Sequence, residues 1–348
     1  MKHTHLHTRL LALLLCCALV LPLSACGEAK STTQQIFAMD TVMDLTAYGK
    51  KADDGINAAI SIINSMDTLL DPENERSKTY EINHAMGSPV VVNEQIAKML
   101  RTALTVYERT NGAFDLTTYP LSKLWGFIDQ NYRVPSDAEI ERLLPCVDMR
   151  KVQLAATDDS ANSLVTMPAD MALSFGAVAK GCASDYAIQA MRAAGVTSGV
   201  ESLGGNVETL GKKPDGSDWN IAIQDPNDTG SYLGYLTVGE TAVITSGSYQ
   251  RYFTEGGQKY HHILSPTTGR PVNNGLLAVT IVCEDGTLAD CLSTAMFVLG
   301  PQAALNYWRT YGGFEMLLVK ADGHVVLTNG LYGQFTPNGD SYVVDYAS

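Results

Sequence analysis

The second half of the chain contains four runs of β-branched and apolar residues, separated by turn sequences such as PNDTG and PTTGRP. Runs of this kind predict β-strands bounded by turns. FEMLLVKADGHVVLTNG further predicts a β-hairpin that turns at Asp322 and Gly323. The second half is therefore predicted to be rich in strands. The four runs cover residues 219–224, 233–245, 258–264 and 276–283.

Other segments have apolar residues at helical spacing. Asn93 and Ser136 are typical N-cap residues for two of them, and residues 37–49 alternate enough to form a first strand. No tandem repeat, low-complexity segment or internal linker interrupts the pattern, so the sequence predicts one mixed α/β domain over residues 36–348. Helices are expected at residues 52–70, 93–110, 136–144, 177–194, about 286–299 and about 301–311.

The first 25 residues have the composition of a secretory signal peptide. A basic start is followed by the apolar run LLALLLCCALVLPL, which is too short for a permanent membrane span. The sequence LSAC looks like a bacterial lipobox and predicts cleavage before Cys26 and lipid on its sulfur. The alternative is an ordinary signal peptide cut nearby. We therefore expect an extracytoplasmic protein held to the cell membrane by Cys26, with residues 26–35 as a polar tether.

The formal net charge of −13 excludes one class of partner. Binding to a nucleic-acid backbone needs clustered lysine and arginine, so no nucleic-acid partner is expected. An anionic ligand would need local positive charge, from a metal ion or from a few basic groups. Cys146, Cys182, Cys283 and Cys291 form no CxxC pair and have no His at zinc spacing. Cys182 and Cys291 lie in apolar stretches and are expected to be buried.

The segment LADCLSTAMFVLG, residues 288–300, places two oxygen-bearing side chains on one helix face. Asp290 and Thr294 are four residues apart, so a helix stacks them one turn from each other. A carboxylate and a hydroxyl in this arrangement can give two ligands to Mg²⁺, which completes its octahedron with water and phosphate oxygens. The alternative is structural: Asp290 stabilises the helix N-terminus, and Thr294 packs.

Three further segments carry groups suited to ligand binding. GAFDLTTYPLSKLWGF, residues 112–127, concentrates aromatic residues that could line a slot for a flat heteroaromatic ring or could form a core cluster. TSGSYQRYF combines small hydroxyl residues with Arg251 and suits an anion-contacting loop. ESLGGNVETL contains Gly204 and Gly205, which predict that the backbone passes close to another group.

Two basic side chains are candidates for chemistry. Lys180 lies in LSFGAVAKGCASDYA, among small residues that indicate a close approach of another group to the backbone. His261 and His262 are adjacent on a predicted strand, so they point to opposite faces. One of them could face a cleft as a proton acceptor, while the other faces solvent or core.

The order of these segments is more specific than any one of them. FAMDT, GAFDLTTYPLSKLWGF, FGAVAKG, LGGN, TSGSYQRYF, HILSPTTGRPV and ADCLSTAMFVLG follow one another over residues 37–300. This series resembles the ApbE family, the FAD:protein FMN transferases. The resemblance implies a single ApbE-like, T-fold-related domain with mixed, mostly antiparallel sheets packed by helices.

The resemblance also implies a function. Members of the family are exported, often lipid-anchored, bind FAD and Mg²⁺, and transfer FMN to a threonine or serine hydroxyl of a partner flavoprotein, releasing AMP. Some members instead hydrolyse FAD to FMN and AMP. The expected ligands and partners are FAD, Mg²⁺, the membrane and an exported acceptor flavoprotein. The alternatives are an FAD pyrophosphatase and a flavin-binding lipoprotein without turnover.

Individual residues of this chain take roles from the same resemblance. The metal would be held by Asp290 and Thr294, with the carbonyl of Ala177 and with Ser293 nearby. His262 matches the histidine of the family's HI motif and is the candidate base for the acceptor hydroxyl. The residues expected to contact FAD are Met39, Ala113, Phe114, Asp115, Ser174, Lys180 and Ile263.

Four positions depart from the family pattern. Asp40 stands where the first motif usually has glycine, Ser174 where aspartate usually precedes GAxAKG, and Ser265 where the HIxDP motif has aspartate. Leu69 and Leu70 occupy the region where the family has a tyrosine before a proline. These changes bear on FAD affinity and on the choice between transfer and hydrolysis, but not on the metal pair.

Overall fold

A nine-stranded sheet forms the centre of the computed structural model, which describes residues 30–347. Helices and the sheet enclose the larger apolar core on one face, and a three-stranded sheet encloses a second core on the other face. The residues from Ser31 onward form one compact unit. The predicted signal peptide and Cys26 lie outside the described residues.

The predicted helices are all present, and three of them begin and end where the sequence indicated. The Asn93 side chain accepts a hydrogen bond from the backbone N–H of Ile96, and Ser136 with Glu139 forms a capping box. Over residues 30–347, no helix has the length and apolar character that crossing a membrane requires. The helices are α1 (Ala52–Leu70), α2 (Lys78–Asn83), α3 (Glu94–Arg109), α4 (Tyr119–Leu124), α5 (Asp137–Leu143), α6 (Ala179–Ala193), α7 (Gly286–Leu299) and α8 (Pro301–Tyr311).

The strands of the described region are β1 (Ser31–Ala38), β2 (Thr41–Tyr48), β3 (Val90–Asn93), β4 (Gln153–Ala156), β5 (Asn162–Thr166), β6 (Ser198–Leu203), β7 (Asn206–Gly211), β8 (Trp219–Gln224), β9 (Tyr232–Val238), β10 (Ala242–Gly247), β11 (Tyr252–Glu255), β12 (Gln258–His261), β13 (Leu276–Cys283), β14 (Glu315–Lys320), β15 (His324–Thr328), β16 (Phe335–Pro337) and β17 (Val343–Ala347). The large sheet has the order β1-β2-β6-β7-β10-β13-β14-β15-β17, and the small sheets are β16-β9-β8, β3-β5-β4 and β11-β12. Within these sheets every pair is antiparallel except β15 with β17. The predicted class, mixed α/β with mostly antiparallel sheets, is confirmed.

Some predicted boundaries are wrong, and edge strands explain the clearest case. The tether predicted for residues 26–35 is in error over residues 31–35, because these residues are part of β1 and pair with β2. β1 is an edge strand whose side chains are mostly exposed to solvent, so it does not require apolar residues. Its first residues, STTQQ, therefore have the same polar composition as a linker. The predicted strand 37–49 is the end of β1, a turn and β2.

Two other runs are divided or shortened. The predicted strand 233–245 is two strands, because Gly239 and Glu240 separate β9, in the small sheet, from β10, in the large one. The predicted strand 258–264 ends at His261. ESLGGNVETL, which the sequence reading did not assign to strands, forms most of the β6–β7 hairpin.

The β1–β2 turn packs against the β6–β7 turn. Met39 and Asp40 take positive φ angles of 48° and 58°, and Asp is among the residues that tolerate this region best. At Gly204, with a φ of 60°, an added Cβ would lie 2.4 Å from the Thr41 hydroxyl oxygen. The sequence expectation that the backbone approaches another group at these glycines is therefore confirmed.

Helices α6 and α7 touch at their backbones. A Cβ at Gly181 would lie 2.1 Å from the carbonyl oxygen of Gly286 and 2.7 Å from the Cβ of Asp290. Each helix also caps the other: Asp290 Oδ2 on α7 accepts from Gly181 N (2.9 Å), and Asp185 Oδ1 on α6 accepts from Gly286 N (2.7 Å). We call these two contacts the reciprocal caps. They satisfy helix-terminal N–H groups that have no partner inside their own helix.

Two glutamates lie beneath α6. Glu201 and Glu208 face each other across β6 and β7, both buried, and Ser184 Oγ on α6 donates to Glu201 Oε1 at 2.5 Å. Within the described structure, the second carboxyl oxygen of each has no hydrogen-bond partner. Burial, with the neighbouring charge of Glu208, raises the pKa of Glu201, and burial together with Asp185 raises the pKa of Glu208 to about 8. At neutral pH Glu208 therefore retains its proton.

We predict that Gly181→Ala destabilises the protein by about 1–3 kcal/mol, because the new methyl group forces the α6 and α7 backbones apart. Urea unfolding monitored by circular dichroism measures this. Gly176→Ala, in the loop before α6, is the control, since a Cβ there meets only the Ser174 hydroxyl oxygen at 3.5 Å. Equal stabilities for the two variants would contradict the backbone contact.

We also predict that Glu208→Gln flattens the pH dependence of stability. The unfolded chain loses this proton near pH 4.3, whereas the folded chain holds it to about pH 8. Wild-type stability therefore falls as pH rises through this window, and the amide removes that contribution. Melting temperatures from pH 5 to pH 8 should diverge in favour of the variant as pH rises. Glu284→Gln makes the same substitution at an exposed side chain and should follow the wild-type pH dependence. Parallel curves for all three proteins would contradict the prediction.

Candidate functional site

A continuous series of contacts joins the two turns described above to β10 and α7. A Cβ at Gly205 would lie 3.3 Å from Gln250 Nε2, and this amide donates to the carbonyl oxygen of Thr245 (3.1 Å). The next residue, Ser246, has its hydroxyl oxygen 3.2 Å from that of Thr294. Residues that the sequence places far apart are thus brought to the N-terminal part of α7.

The two carboxylate oxygens of Asp290 make different contacts. Oδ2 accepts the cap from Gly181 N, and Oδ1 lies 4.0 Å from Lys180 Nζ. The Asp290 side chain is almost fully buried, and Lys180 is partly exposed. Asp290 therefore does stabilise a helix N-terminus, as the structural alternative predicted, but the helix that it caps is α6 and not its own helix, α7. Its other oxygen faces a cation.

Three hydroxyl groups form a chain whose direction is fixed at one end. Ser293 Oγ lies 2.9 Å from the carbonyl oxygen of Asp290, which can only accept, so Ser293 donates there. Ser246, 2.8 Å from Ser293, then donates to Ser293, and Thr294 donates to Ser246. This leaves the lone pairs of Thr294 available to a cation. Ser293 is fully buried and serves to orient Ser246.

The donor groups at this position are oxygens. Among residues 30–347, no cluster of three or more His, Cys, Asp or Glu could hold a metal ion. An ion here would use the Asp290 carboxylate and the Thr294 hydroxyl, with carbonyl, water or phosphate oxygens. This set fits Mg²⁺, which needs few protein carboxylates, and does not fit zinc. Ala177, the predicted carbonyl ligand, lies in the loop that leads into α6.

The two histidines differ in their surroundings. His261 is buried, with Nε2 2.8 Å from the carbonyl oxygen of Val272 and Nδ1 3.3 Å from the N–H of Ile263. Both of its ring nitrogens are thus used inside the protein. His262 is half-buried, and its Nδ1 lies 3.2 Å from the carbonyl oxygen of Arg251. Because a carbonyl only accepts, Nδ1 carries the proton and Nε2 is the nitrogen that can take one up.

Positive charge collects around His262 in an otherwise acidic protein. Desolvation, together with the charges of Arg251 and Lys180, lowers the pKa of His262 to about 3, against a hydrogen bond to the Arg251 backbone that raises it. His262 is therefore neutral near pH 7, as a base must be. Lys180 and Arg251 supply the local cations that the sequence analysis required for an anionic ligand.

The segment at residues 112–127 is more structural than the sequence indicated. Phe114 belongs to the main core, and Trp125 is fully buried with its indole N–H donating to the carbonyl oxygen of Gly269 (2.8 Å). Asp115 accepts from both the N–H and the hydroxyl of Thr117 (2.7 and 2.5 Å) and from Met149 N (3.1 Å). Burial raises the pKa of Asp115 despite these bonds. Of the three residues predicted here to contact FAD, Phe114 and Asp115 are buried and Ala113 is half-buried.

Two of the departures from the family pattern keep the local turns. Ser174 Oγ accepts from Gly176 N (3.2 Å), and Ser265 Oγ accepts from Thr268 N (3.3 Å). Aspartate makes the same local bond to a backbone N–H two or three residues ahead, and serine does so more weakly. The two positions therefore lose a carboxylate charge while the turn remains.

Sequence reasoning missed Asn83 and the role of Ser246. The Asn83 side chain donates to the carbonyl oxygen of Leu173 (2.9 Å) and accepts from its N–H (2.8 Å), which fixes the loop before α6. No local pattern signals this contact, since the two residues are 90 apart. Ser246 lay within a segment chosen for anion binding, but its contact with Thr294 depends on the fold. Met39 N donates to Asp67 Oδ1 (2.9 Å), and Ile263 is buried.

Comparison with known proteins shows one family. A profile described as ApbE family matches residues 39–318. A Klebsiella pneumoniae protein named FAD:protein FMN transferase is 31% identical over 81% of this chain and 87% of its own, and one of that name from Treponema pallidum is 29% identical over 88% and 90%. The crystal structure of the ApbE protein from Thermotoga maritima superposes with a TM-score of 0.81 at 30% identity, covering 88% of this chain and 99% of the other.

Proposed function

This chain belongs to the ApbE family, and we propose that it is an FAD:protein FMN transferase that uses Mg²⁺ and an exported flavoprotein as acceptor. The observation that carries the proposal is the position of Lys180 beside Asp290 at the crossing of α6 and α7, next to the Ser246 and Thr294 hydroxyls. This is an oxygen-rich cation position with a lysine at its side, as a pyrophosphate ligand requires.

The residues of the site have distinct roles in FMN transfer. The Lys180 and Arg251 cations attract the two phosphates of FAD and balance their charge. A threonine or serine hydroxyl of the acceptor attacks the phosphorus of the FMN half, the bond to the AMP half breaks, and AMP leaves. His262 Nε2 takes up the hydroxyl proton. Mg²⁺ held by Asp290 and Thr294 would neutralise charge that develops on the phosphate oxygens.

AMP release from FAD by the soluble chain from Gly27 onward tests this function. It is measured with Mg²⁺ or EDTA, and with or without a peptide that carries an acceptor threonine. Mg²⁺-dependent AMP with flavin covalently on the peptide supports transfer. AMP and free FMN in both cases would make the protein a pyrophosphatase, and FAD binding without AMP would make it a carrier.

We predict that Asp290→Asn lowers Mg²⁺-dependent AMP release by at least about 100-fold, since loss of metal charge stabilisation costs several kcal/mol. The amide can still accept from Gly181 N, so the reciprocal cap is retained. Asp322→Asn, in the exposed β14–β15 turn, is the control for charge alone. Full activity of the Asp290→Asn variant would remove Asp290 from the metal site.

We predict that His262→Ala slows transfer by about 10²–10⁴-fold, the usual contribution of a general base, and leaves FAD affinity within a few-fold of wild type. Stopped-flow transfer rates and fluorescence titration with FAD separate the two effects. His324→Ala, which removes a histidine paired with Asp345 in β17, is the control. Loss of FAD binding in the His262 variant would show a ligand contact in place of a base.

We also propose that Cys26 is lipidated and holds the domain at the outer side of the cytoplasmic membrane. The lipobox LSAC supports this. Cys26→Ala should move the protein from the membrane fraction to the soluble fraction and abolish incorporation of labelled palmitate. Labelling that persists in the variant would disprove the assignment.

A further inference from the structure

Asp185 on α6 holds the first turn of α7 from outside that helix. The side chain is nearly buried, and it accepts from Gly286 N (2.7 Å), Thr287 N (3.1 Å) and the Thr287 hydroxyl (2.5 Å). Three donors of one helical turn thus converge on one carboxylate from a different element. Negative charge at a helix N-terminus is stabilising, and it is more so when partly buried.

Lys98 on α3 completes this contact. Its Nζ lies 2.6 Å from Asp185 Oδ2 and 3.5 Å from Asp285 Oδ2, so it neutralises a buried charge and joins a third helix to the pair. Lys98 is partly exposed, whereas Asp185 is not. The two side chains therefore link α3, α6 and the start of α7.

The turn that Asp185 holds lies directly before the metal pair. Asp290 follows Gly286 by four residues and Thr294 follows by eight, so all three lie on the same side of α7. The reciprocal caps fix α7 at two points, Gly286 and Asp290, which lie one turn apart. The Asp290 and Thr294 oxygens come from α7, whereas the Ala177 carbonyl and Lys180 come from the start of α6 and the loop before it. Loss of the Asp185 contact removes one of the two caps that set α7 against α6, so the α7 oxygens shift relative to those groups.

We infer that Asp185, supported by Lys98, is a positioning residue that sets where the Asp290–Thr294 oxygen pair lies relative to the start of α6, and so the affinity for the divalent ion. The inference rests on the proposed metal site, yet Asp185 itself touches neither metal nor substrate. Residues that orient metal ligands typically change metal affinity by about 10–100-fold when they are lost.

Mn²⁺ binding tests the inference apart from turnover. Mn²⁺ is titrated on ice into a mixture of the soluble chain and FAD, and the free Mn²⁺ is measured by EPR. A titration into FAD alone is the blank. Asp185→Ala should raise the Mn²⁺ dissociation constant at least about 10-fold. Asp185→Asn, which keeps an acceptor oxygen for Gly286 N, and Lys98→Met should each give smaller increases and should remain folded if the alanine variant does not.

A matched destabilised variant separates positioning from loss of stability. Ile188→Ala removes a buried side chain from the same helix, three residues after Asp185. It should lower the melting temperature without changing the Mn²⁺ dissociation constant. In steady-state assays the Asp185 variants should need more Mg²⁺ for half-maximal AMP release, and excess Mg²⁺ should restore the rate.

The outcomes distinguish a failure of the positioning role of Asp185 from a failure of the metal site. If wild type binds Mn²⁺, Asp290→Asn does not, and the Asp185 variants bind as wild type does, the positioning role is wrong while the metal site stands. If Ile188→Ala weakens Mn²⁺ binding as much as Asp185→Ala, the effect is general destabilisation and the inference fails. If wild type and Asp290→Asn bind Mn²⁺ equally, the metal site itself is wrong, and the positioning role is wrong with it.

Discussion

The contact between the backbones of α6 and α7 is the constraint on which the site depends. Glycine at positions 181 and 286 lets the two helices approach until a single methyl group would no longer fit. At that distance a carboxylate on each helix reaches the N-terminal amides of the other. The helix packing and the capping hydrogen bonds therefore depend on each other. Without the glycines the Asp185 and Asp290 carboxylates would lie too far from the amides that they cap. Without the caps, two helix N-termini would be buried with unpaired N–H donors.

The distribution of charge follows from the same arrangement. The chain has a net charge of −13 and several buried carboxylates, and these are stabilised in different ways. Asp185 is paired with Lys98 and with helix amides, while burial raises the pKa of both Glu201 and Glu208, so that Glu208 keeps its proton at neutral pH. Lys180 and Arg251 lie instead where an anion can reach them. The protein thus combines an acidic surface with a local cationic position for a phosphate-bearing ligand.

The sequence predicted the parts of the fold that local patterns determine. Periodic apolar residues with caps at Asn93 and Ser136 located the helices, and the spacing of Asp290 and Thr294 placed both on one face of α7. It failed for β1, whose polar residues satisfy an edge strand and a linker equally well. It also failed for Asn83, Ser246 and Asp185, because their partners come from distant segments. Aromatic residues at 112–127 were ambiguous, since a core and a ligand slot favour the same side chains.

The distance along the chain between the two capped helices has a consequence for folding. Gly181 and Asp290 are separated by 109 residues, and the intervening segment contains β6 to β13, including four of the nine strands of the large sheet. Contacts this remote in sequence form after local structure, because closing a long loop costs entropy before any contact offsets it. We therefore expect the helix crossing to form late in folding. A chain that binds its ligand there has brought α6 and α7 together across the strands between them, so occupancy of the site reports on long-range folding.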